Sequence, residues 1–243
     1  MLTLHTFYPA LGNHSASPFC VKAMVLLNLA GMEWTPNWVQ NPSKFAYKKL
    51  PVVETPNFMV NDSNLLIDWL EEQGKDMFPG LDAKARATAR AVIRMTEQNL
   101  TEGLVYNRWL IDDCWTVLNR QVFGGLPAPL KLFVPNMVRK TIRQRMDLNG
   151  MGRFSEEDRM TYLSRDLDTI AAFIDDAFLF GTTPTAADAA VAPVLSMIDT
   201  LPADTALRRR LRGDDKLMAY VGRAREQLFA QLPVPGANRA SAA

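Results

Sequence analysis

Residues that build metal centres and covalent frameworks are scarce in this chain. Its 243 residues include two cysteines and two histidines. Cys20 and Cys114 lie far apart, form no CxxC pair and have no histidines around them, so neither a structural zinc site nor a secreted disulfide scaffold is expected. Long apolar runs are missing too: none approaches the roughly 18 residues of a membrane span. The first residues, Met1-Leu2-Thr3-Leu4-His5, lack the basic flank and extended apolar stretch of a signal peptide. Nor is there an excess charge of either sign. Lys and Arg total 27 against 26 Asp and Glu, which leaves no long-range field to attract nucleic acid or an anionic membrane. The expectation is a cytoplasmic protein with no metal, no nucleic acid and no membrane partner. A small neutral or mildly polar ligand remains open, and a chain 48% apolar and 22% charged can bury a sizeable core.

Arginine is absent from the first 80 residues, which hold five lysines and seven acids; every arginine lies later. The shift coincides with Phe78-Pro79-Gly80-Leu81-Asp82, where Pro and Gly interrupt helical periodicity and an Asp can cap the next helix. Two domains are expected, 1–80 and 83–232, with a Pro/Gly/Ala/Ser tail over 233–243 that frays. In the first, residues 2–8, 33–39, 51–54 and 58–60 read as strands, and 18–30 and 63–73 as helices. Thr55-Pro56-Asn57 is a hairpin signal. The order βαβ then ββα predicts a mixed four-stranded sheet whose first two strands are parallel with a right-handed crossover, as in a thioredoxin-like domain. Past the boundary, strand signals almost vanish. Residues 83–119 read as helix-prone throughout, 136–148 as a basic amphipathic helix, and 155–176 as a long helix opened by a Ser155-x-x-Asp158 capping box. Helices over 185–200 and 214–230 complete an all-α domain.

Three short stretches of the first domain can carry chemistry. Ser17-Pro18-Phe19-Cys20 follows the first strand after a polar loop. Serine is a favoured N-cap and proline a favoured first helical residue, so the pair can simply start a helix, worth about 1 kcal/mol. The same helix start also presents free N–H groups and a positive dipole end, which favour an anion such as a thiolate. Leu50-Pro51-Val52-Val53 enters a strand at the one residue type for which a cis peptide costs little, although a trans proline at a strand's first position is common. Asp62-Ser63 reads either as an N-cap pair or as an exposed helix start that holds a ligand's carboxylate or ammonium.

Taken in order within one βαβββα frame, these stretches resemble the glutathione site of the glutathione transferase superfamily. The resemblance implies a catalytic role for Ser17 at the first helix start. It also implies that Lys48-Lys49-Leu50-Pro51-Val52 carries a cis-proline, with Leu50 bonding the cysteinyl backbone of glutathione and Lys49 near its glycyl carboxylate. Asp62 and Ser63 would hold the γ-glutamyl end. In the second domain, Gly181-x-x-Pro184-Thr185-x-x-Asp188 is similar to the family's capping box and buried helix, and Asp188 is assigned to folding.

The long first loop, the Ser-Pro-Phe-Cys-Val-Lys sequence and Val105-Tyr106-Asn107-Arg108-Trp109 look most like the metaxin and failed-axon-connections branch. That branch holds bacterial transferases and also animal adaptor or import proteins, so a non-catalytic binding protein of the same fold is the alternative. The loop leaves the reacting group open among Tyr8, Ser15, Ser17 and Cys20. Cys20 has either a thiol of lowered pKa at a helix start or an inert, partly buried one. Tyr106, Arg108, Trp109 and Trp115 either belong to the core or line an apolar pocket for an electrophile, and Arg108 has the further option of pairing with an acid across the domain interface. The basic stretches around Arg139 to Arg145 and Arg208 to Arg210 read as solvated helix faces. The expectation overall is an enzyme that binds reduced glutathione as co-substrate, joins it to a small apolar electrophile or reduces a peroxide with it, and forms a homodimer.

Overall fold

A computed structural model of the protein describes residues 1–233, so all but the first residue of the expected tail lies outside the described residues. Its sheet is built around β1 (Leu2–Phe7). On one side β1 pairs in parallel with β2 (Trp34–Val39), from Leu2 opposite Trp34 to Phe7 opposite Val39. On the other it pairs antiparallel with β3 (Val52–Glu54), which pairs antiparallel with β4 (Met59–Asn61), giving the order β2-β1-β3-β4. This is the mixed four-stranded sheet that the alternation of the sequence predicts. Two helices complete the unit, α1 (Pro18–Leu29) and α2 (Ser63–Glu72). Helix α1 stops at Ala30 because Gly31 takes φ +63°. Its N–H then reaches Asn28 O while that of Met32 reaches Leu27 O, the paired bonds of a Schellman cap.

Helix α1 is apolar on nearly all sides because it is covered on nearly all sides. One face packs on the sheet and on α2, the other on α8 (Ala186–Asp199) of the helical domain. Met24, Leu26 and Leu27 are fully buried, and each such side chain stabilises the fold by about 1.5–3 kcal/mol. All fourteen residues of α8 are buried, five of them alanines, which lets neighbouring helices approach closely. One continuous core therefore runs from the sheet through α1 into the second domain.

The stretch 83–119 is helical as expected apart from Ile111, and is divided into α3 (Ala83–Met95), a π-helical turn (Thr96–Leu100), α4 (Thr101–Leu110) and α5 (Asp112–Phe123). Ile111 is extended, and Asp112 and Asp113 then place negative charge in the first turn of α5, where the dipole favours it. The basic helix starts eight residues earlier than expected, as α6 (Ala128–Asn149), with Pro135 inside it. Helix α7 (Glu156–Phe173) ends in a two-residue hairpin, β5 (Ile174–Asp175) and β6 (Phe178–Leu179). A short helix, α9 (Ala206–Arg212), precedes α10 (Asp215–Gln227). Among the described residues no helix is long and apolar enough to cross a membrane.

Candidate active site

The register of the sheet decides where the three candidate stretches meet. His5 lies opposite Val52, and Val52 opposite Asn61. The end of β1, the start of β3 and the end of β4 therefore share one edge. The loop to Ser17 leaves β1 there, Leu50-Pro51 enters β3 there, and Asp62-Ser63 follows β4 there.

Tyr8 to Ala16 form the loop that carries the chain to Ser17, and the second domain holds it at several points. Leu11 N donates to Gln121 Oε1 at 2.8 Å, Asn13 Nδ2 to Thr200 Oγ1 at 2.8 Å, and Arg108 Nη1 to Ala16 O at 2.9 Å. Tyr8, half-buried at the strand end, stacks on Trp38 with ring centroids 6.1 Å apart. Ser17 occupies the N-cap position with extended backbone and Pro18 in the first turn, yet its side chain makes no capping hydrogen bond. Ser17 is half-buried, and Cys20, one turn on, is fully buried. Burial pushes the Cys20 thiol above its ordinary pKa, against hydrogen bonds from the Phe7 backbone and the Thr6, Ser15 and Ser17 hydroxyls. Cys20 is thus a buried, protonated thiol beneath the helix start.

The Leu50-Pro51 peptide is cis. Leu50 is buried in a cluster with Cys20, Val39, Phe45 and Val52, which seats the cis peptide against the first turn of α1. Lys49 is exposed beside it.

Asp62 has φ +140°, a region that costs a non-glycine residue about 1–3 kcal/mol and persists only where its surroundings impose it. Its Oδ1 accepts the Asn64 N–H at 2.7 Å, and Ser63 is 2% exposed. What imposes this start is a triad absent from the sequence expectation. Lys22 Nζ, on α1, donates to Glu97 Oε1 at 2.7 Å and to Asn64 Oδ1 at 2.9 Å, while Asn64 Nδ2 donates to Glu97 Oε2 at 2.7 Å. Lys22 is 1% exposed, and burial lowers its pKa against the opposing field of Glu97. Glu97 comes from the π-helical turn, a local irregularity often found at functional sites. The triad thereby ties both helix starts to the second domain. Its one signal in the sequence was a lone lysine in the apolar run of α1.

The four second-domain candidates separate. Trp109 and Trp115 lie 5.6 Å apart, each within about 6 Å of Phe123, and pack with Leu11 of the loop. Tyr106 instead carries the Arg159 guanidinium 3.6 Å from its ring centroid. Arg108 is 4% exposed, beneath Ala16, and burial lowers its pKa to about 10. A cavity of about 230 Å³ lies between the loop and α8 and α10; Gly12, Asn13, His14, Val21, Pro193 and Phe229 are among the residues that line it, and none of the four candidates does.

Residues 18–114 match the model of the glutathione S-transferase N-terminal domain, and residues 154–223 that of the C-terminal domain. The chain is 28% identical over 235 residues to the isoprene-epoxide–glutathione S-transferase of Rhodococcus sp. strain AD45, covering 93% of this chain and 99% of that one. Among solved structures, a glutathione transferase of Phanerochaete chrysosporium superposes with a TM-score of 0.63 at 17% identity, over 93% of this chain and 97% of that one. A glutathione S-transferase of Ceriporiopsis subvermispora, solved in complex with glutathione, superposes with a TM-score of 0.61 at 14% identity, over 92% and 94%. Two consecutive family models in the expected order, a relative aligned along nearly all of both chains and a shared fold agree: the chain belongs to the glutathione transferase superfamily.

Proposed function

We propose that the protein is a glutathione S-transferase whose Ser17 stabilises the glutathione thiolate for attack on a small apolar electrophile. The observation that carries this reading is the start of α1, whose serine caps no backbone N–H. Ser17 stands at the N-cap without capping, at the sheet edge shared by the cis Leu50-Pro51 peptide and the strained Asp62-Ser63 start. Glutathione lies along that edge, with its γ-glutamyl end on Asp62 and Ser63, its cysteinyl backbone on Leu50 and its glycyl carboxylate toward Lys49. The sulfur then meets the Ser17 hydroxyl and the positive end of the α1 dipole, both of which favour the anion. A thiol taken from about 8.5 to between 6 and 7 is mostly ionised at neutral pH.

The likeness to an isoprene-epoxide transferase supports a small epoxide as the electrophile. The thiolate attacks a ring carbon, the C–S bond forms as the C–O bond breaks, and the alkoxide takes up the proton that the thiol released. Tyr8, at the strand end, relays that proton in this reading, and the Trp109–Trp115 cluster offers an apolar wall. Cys20, buried and protonated, serves packing. A cytoplasmic homodimer belongs to the same reading.

Isothermal titration of reduced glutathione tests it. Micromolar to millimolar binding is expected in the wild type and its loss in Asp62→Ala and Ser63→Ala. In Ser17→Ala, binding persists while turnover of an epoxide falls by about 10- to 100-fold, the loss expected from one hydrogen bond to a charged group. No binding by the folded wild type would overturn the reading in favour of an adaptor of the same fold.

A further inference from the structure

The two buried cations near the site are treated very differently by the fold. Lys22 has a carboxylate and an amide around it. Arg108, also buried, has one backbone carbonyl: its Nη1 donates to Ala16 O, while Nε and Nη2 have no hydrogen-bond partner among the described residues. No carboxylate among the described residues pairs with it either. A buried charge without a counter-ion is among the costliest arrangements a fold can keep, and packing alone does not account for it. Nor does clamping the loop, which a neutral donor would achieve at less cost.

Its position supplies the reason. The carbonyl it holds belongs to the residue before Ser17, so Arg108 fixes the peptide that delivers Ser17 to the helix start. Its charge sits beneath that start in a poorly screened interior, where its field reaches further than in water. We infer that Arg108 is a positioning residue for the glutathione thiolate: it sets the Ala16-Ser17 peptide and supplies the positive charge that the arriving sulfur anion answers. This inference rests on the proposed glutathione site. The other ionisable groups of the loop and of the elements around it include Tyr8 and His14, Cys20 and Lys22 on α1, Asp112, Asp113 and Cys114 on α5 and Arg208 on α9. Both thiols are pushed up by burial, so neither supplies the anion that Arg108 lacks.

The test is a pH titration of the bound thiolate by its ultraviolet absorbance, in the wild type, Arg108→Lys and Arg108→Gln. Arg108→Gln is expected to raise the apparent thiol pKa by about one pH unit, which from a value between 6 and 7 lowers the thiolate fraction at pH 6.5 by about three- to eightfold. kcat at pH 6.5 should fall by about as much, with KM for glutathione within about twofold. Arg108→Lys, which keeps a cation, should retain most of the wild-type value. An unchanged pKa in a folded Arg108→Gln variant would reduce Arg108 to a clamp and overturn the inference. If that variant does not fold, the wild type still decides: the Arg108 Nε–H resonance, assigned by its loss in Arg108→Lys, should shift with the titration of the bound thiol, and no shift overturns the proposal. A wild type that binds no glutathione, or binds it with an unshifted thiol, would instead overturn the proposed function.

Discussion

Two helix starts in this molecule use the same local chemistry to opposite ends. At α8 the start is closed. Asp188 accepts the Thr185 N–H at 2.8 Å and the Thr185 hydroxyl at 3.1 Å, while its other oxygen accepts the Leu179 N–H at 2.9 Å and the Tyr220 hydroxyl at 3.0 Å; all of it is buried. At α1 the start is open. Ser17 has the residue type, position and backbone of a cap, and withholds the bond. A satisfied helix start stabilises a fold, whereas an unsatisfied one is available to a ligand, and local rules are most often broken at functional sites. If the contrast is real, each start should fail in its own way when altered.

The largest effect is expected at the closed start. Asp188→Ala strands two backbone N–H groups and two hydroxyls inside the core, and the loss should be about 3–5 kcal/mol. Chemical denaturation measures it, and glutathione affinity of the remaining folded protein should change little. The Lys22 triad comes next, because Glu97→Gln leaves the ammonium buried without its counter-charge. About 3 kcal/mol of stability should go. Here, unlike at Asp188, glutathione affinity should also fall, because the Asp62-Ser63 start loses the contact that holds it. Unchanged affinity would show that the triad serves the fold alone.

That difference also marks what the sequence can disclose. The Thr185-x-x-Asp188 box is legible because both partners lie within one turn, and the strand order is legible because alternation and turn residues are local. The triad joins residues up to 75 positions apart and leaves no local trace. Local signals also mislead where the breakers are tolerated. Pro127 and Pro129 sit at the start of α6, where their missing N–H groups cost nothing, and Pro135 inside it hid the first turns. Charge patterns suffer similarly: Arg139 and Arg208 to Arg210 read as solvated faces, yet Arg139 holds the Trp109 and Leu110 carbonyls and Asp112, Arg208 the carbonyl of Asp199, and Arg210 pairs with Asp168 and Asp214. For Leu50-Pro51 the sequence permits either isomer, and the fold takes cis. For Arg108 the sequence offered core, pocket or an ion pair, and it lies buried on a carbonyl without an acid.

A smaller effect sharpens the closed side of the comparison through pH. Burial raises the Asp188 pKa from 3.8 to about 6 despite its four hydrogen bonds. The folded state therefore binds this proton more tightly than the unfolded chain, so the associated stability is fully present below about pH 4 and is lost as the pH rises through 6. Between pH 7.5 and 4.5 the gain should be about 2 kcal/mol. Asp199 and Asp112, whose pKa values are lowered, lose stability only below the ordinary carboxylate range and do not mask it. The wild type should thus gain on Asp188→Asn over that interval when both are unfolded by urea. A constant difference between them would mean that the carboxyl is already neutral, or fully compensated, at pH 7.5.

The smallest effect on stability is the most informative about the open side. Replacing a working N-cap serine with alanine removes about 1 kcal/mol. Ser17 makes no capping bond, so Ser17→Ala should cost less than about 0.5 kcal/mol, within the range of an ordinary surface change. Turnover should nevertheless fall by one to two orders of magnitude, while Thr185→Ala, at the closed start, should do the reverse. Measured together, urea midpoints and initial rates place each variant on one axis or the other. A full capping loss at Ser17 with turnover preserved would put the serine to structural use after all, and thiolate stabilisation would pass to the α1 dipole, Tyr8 and the buried charge of Arg108.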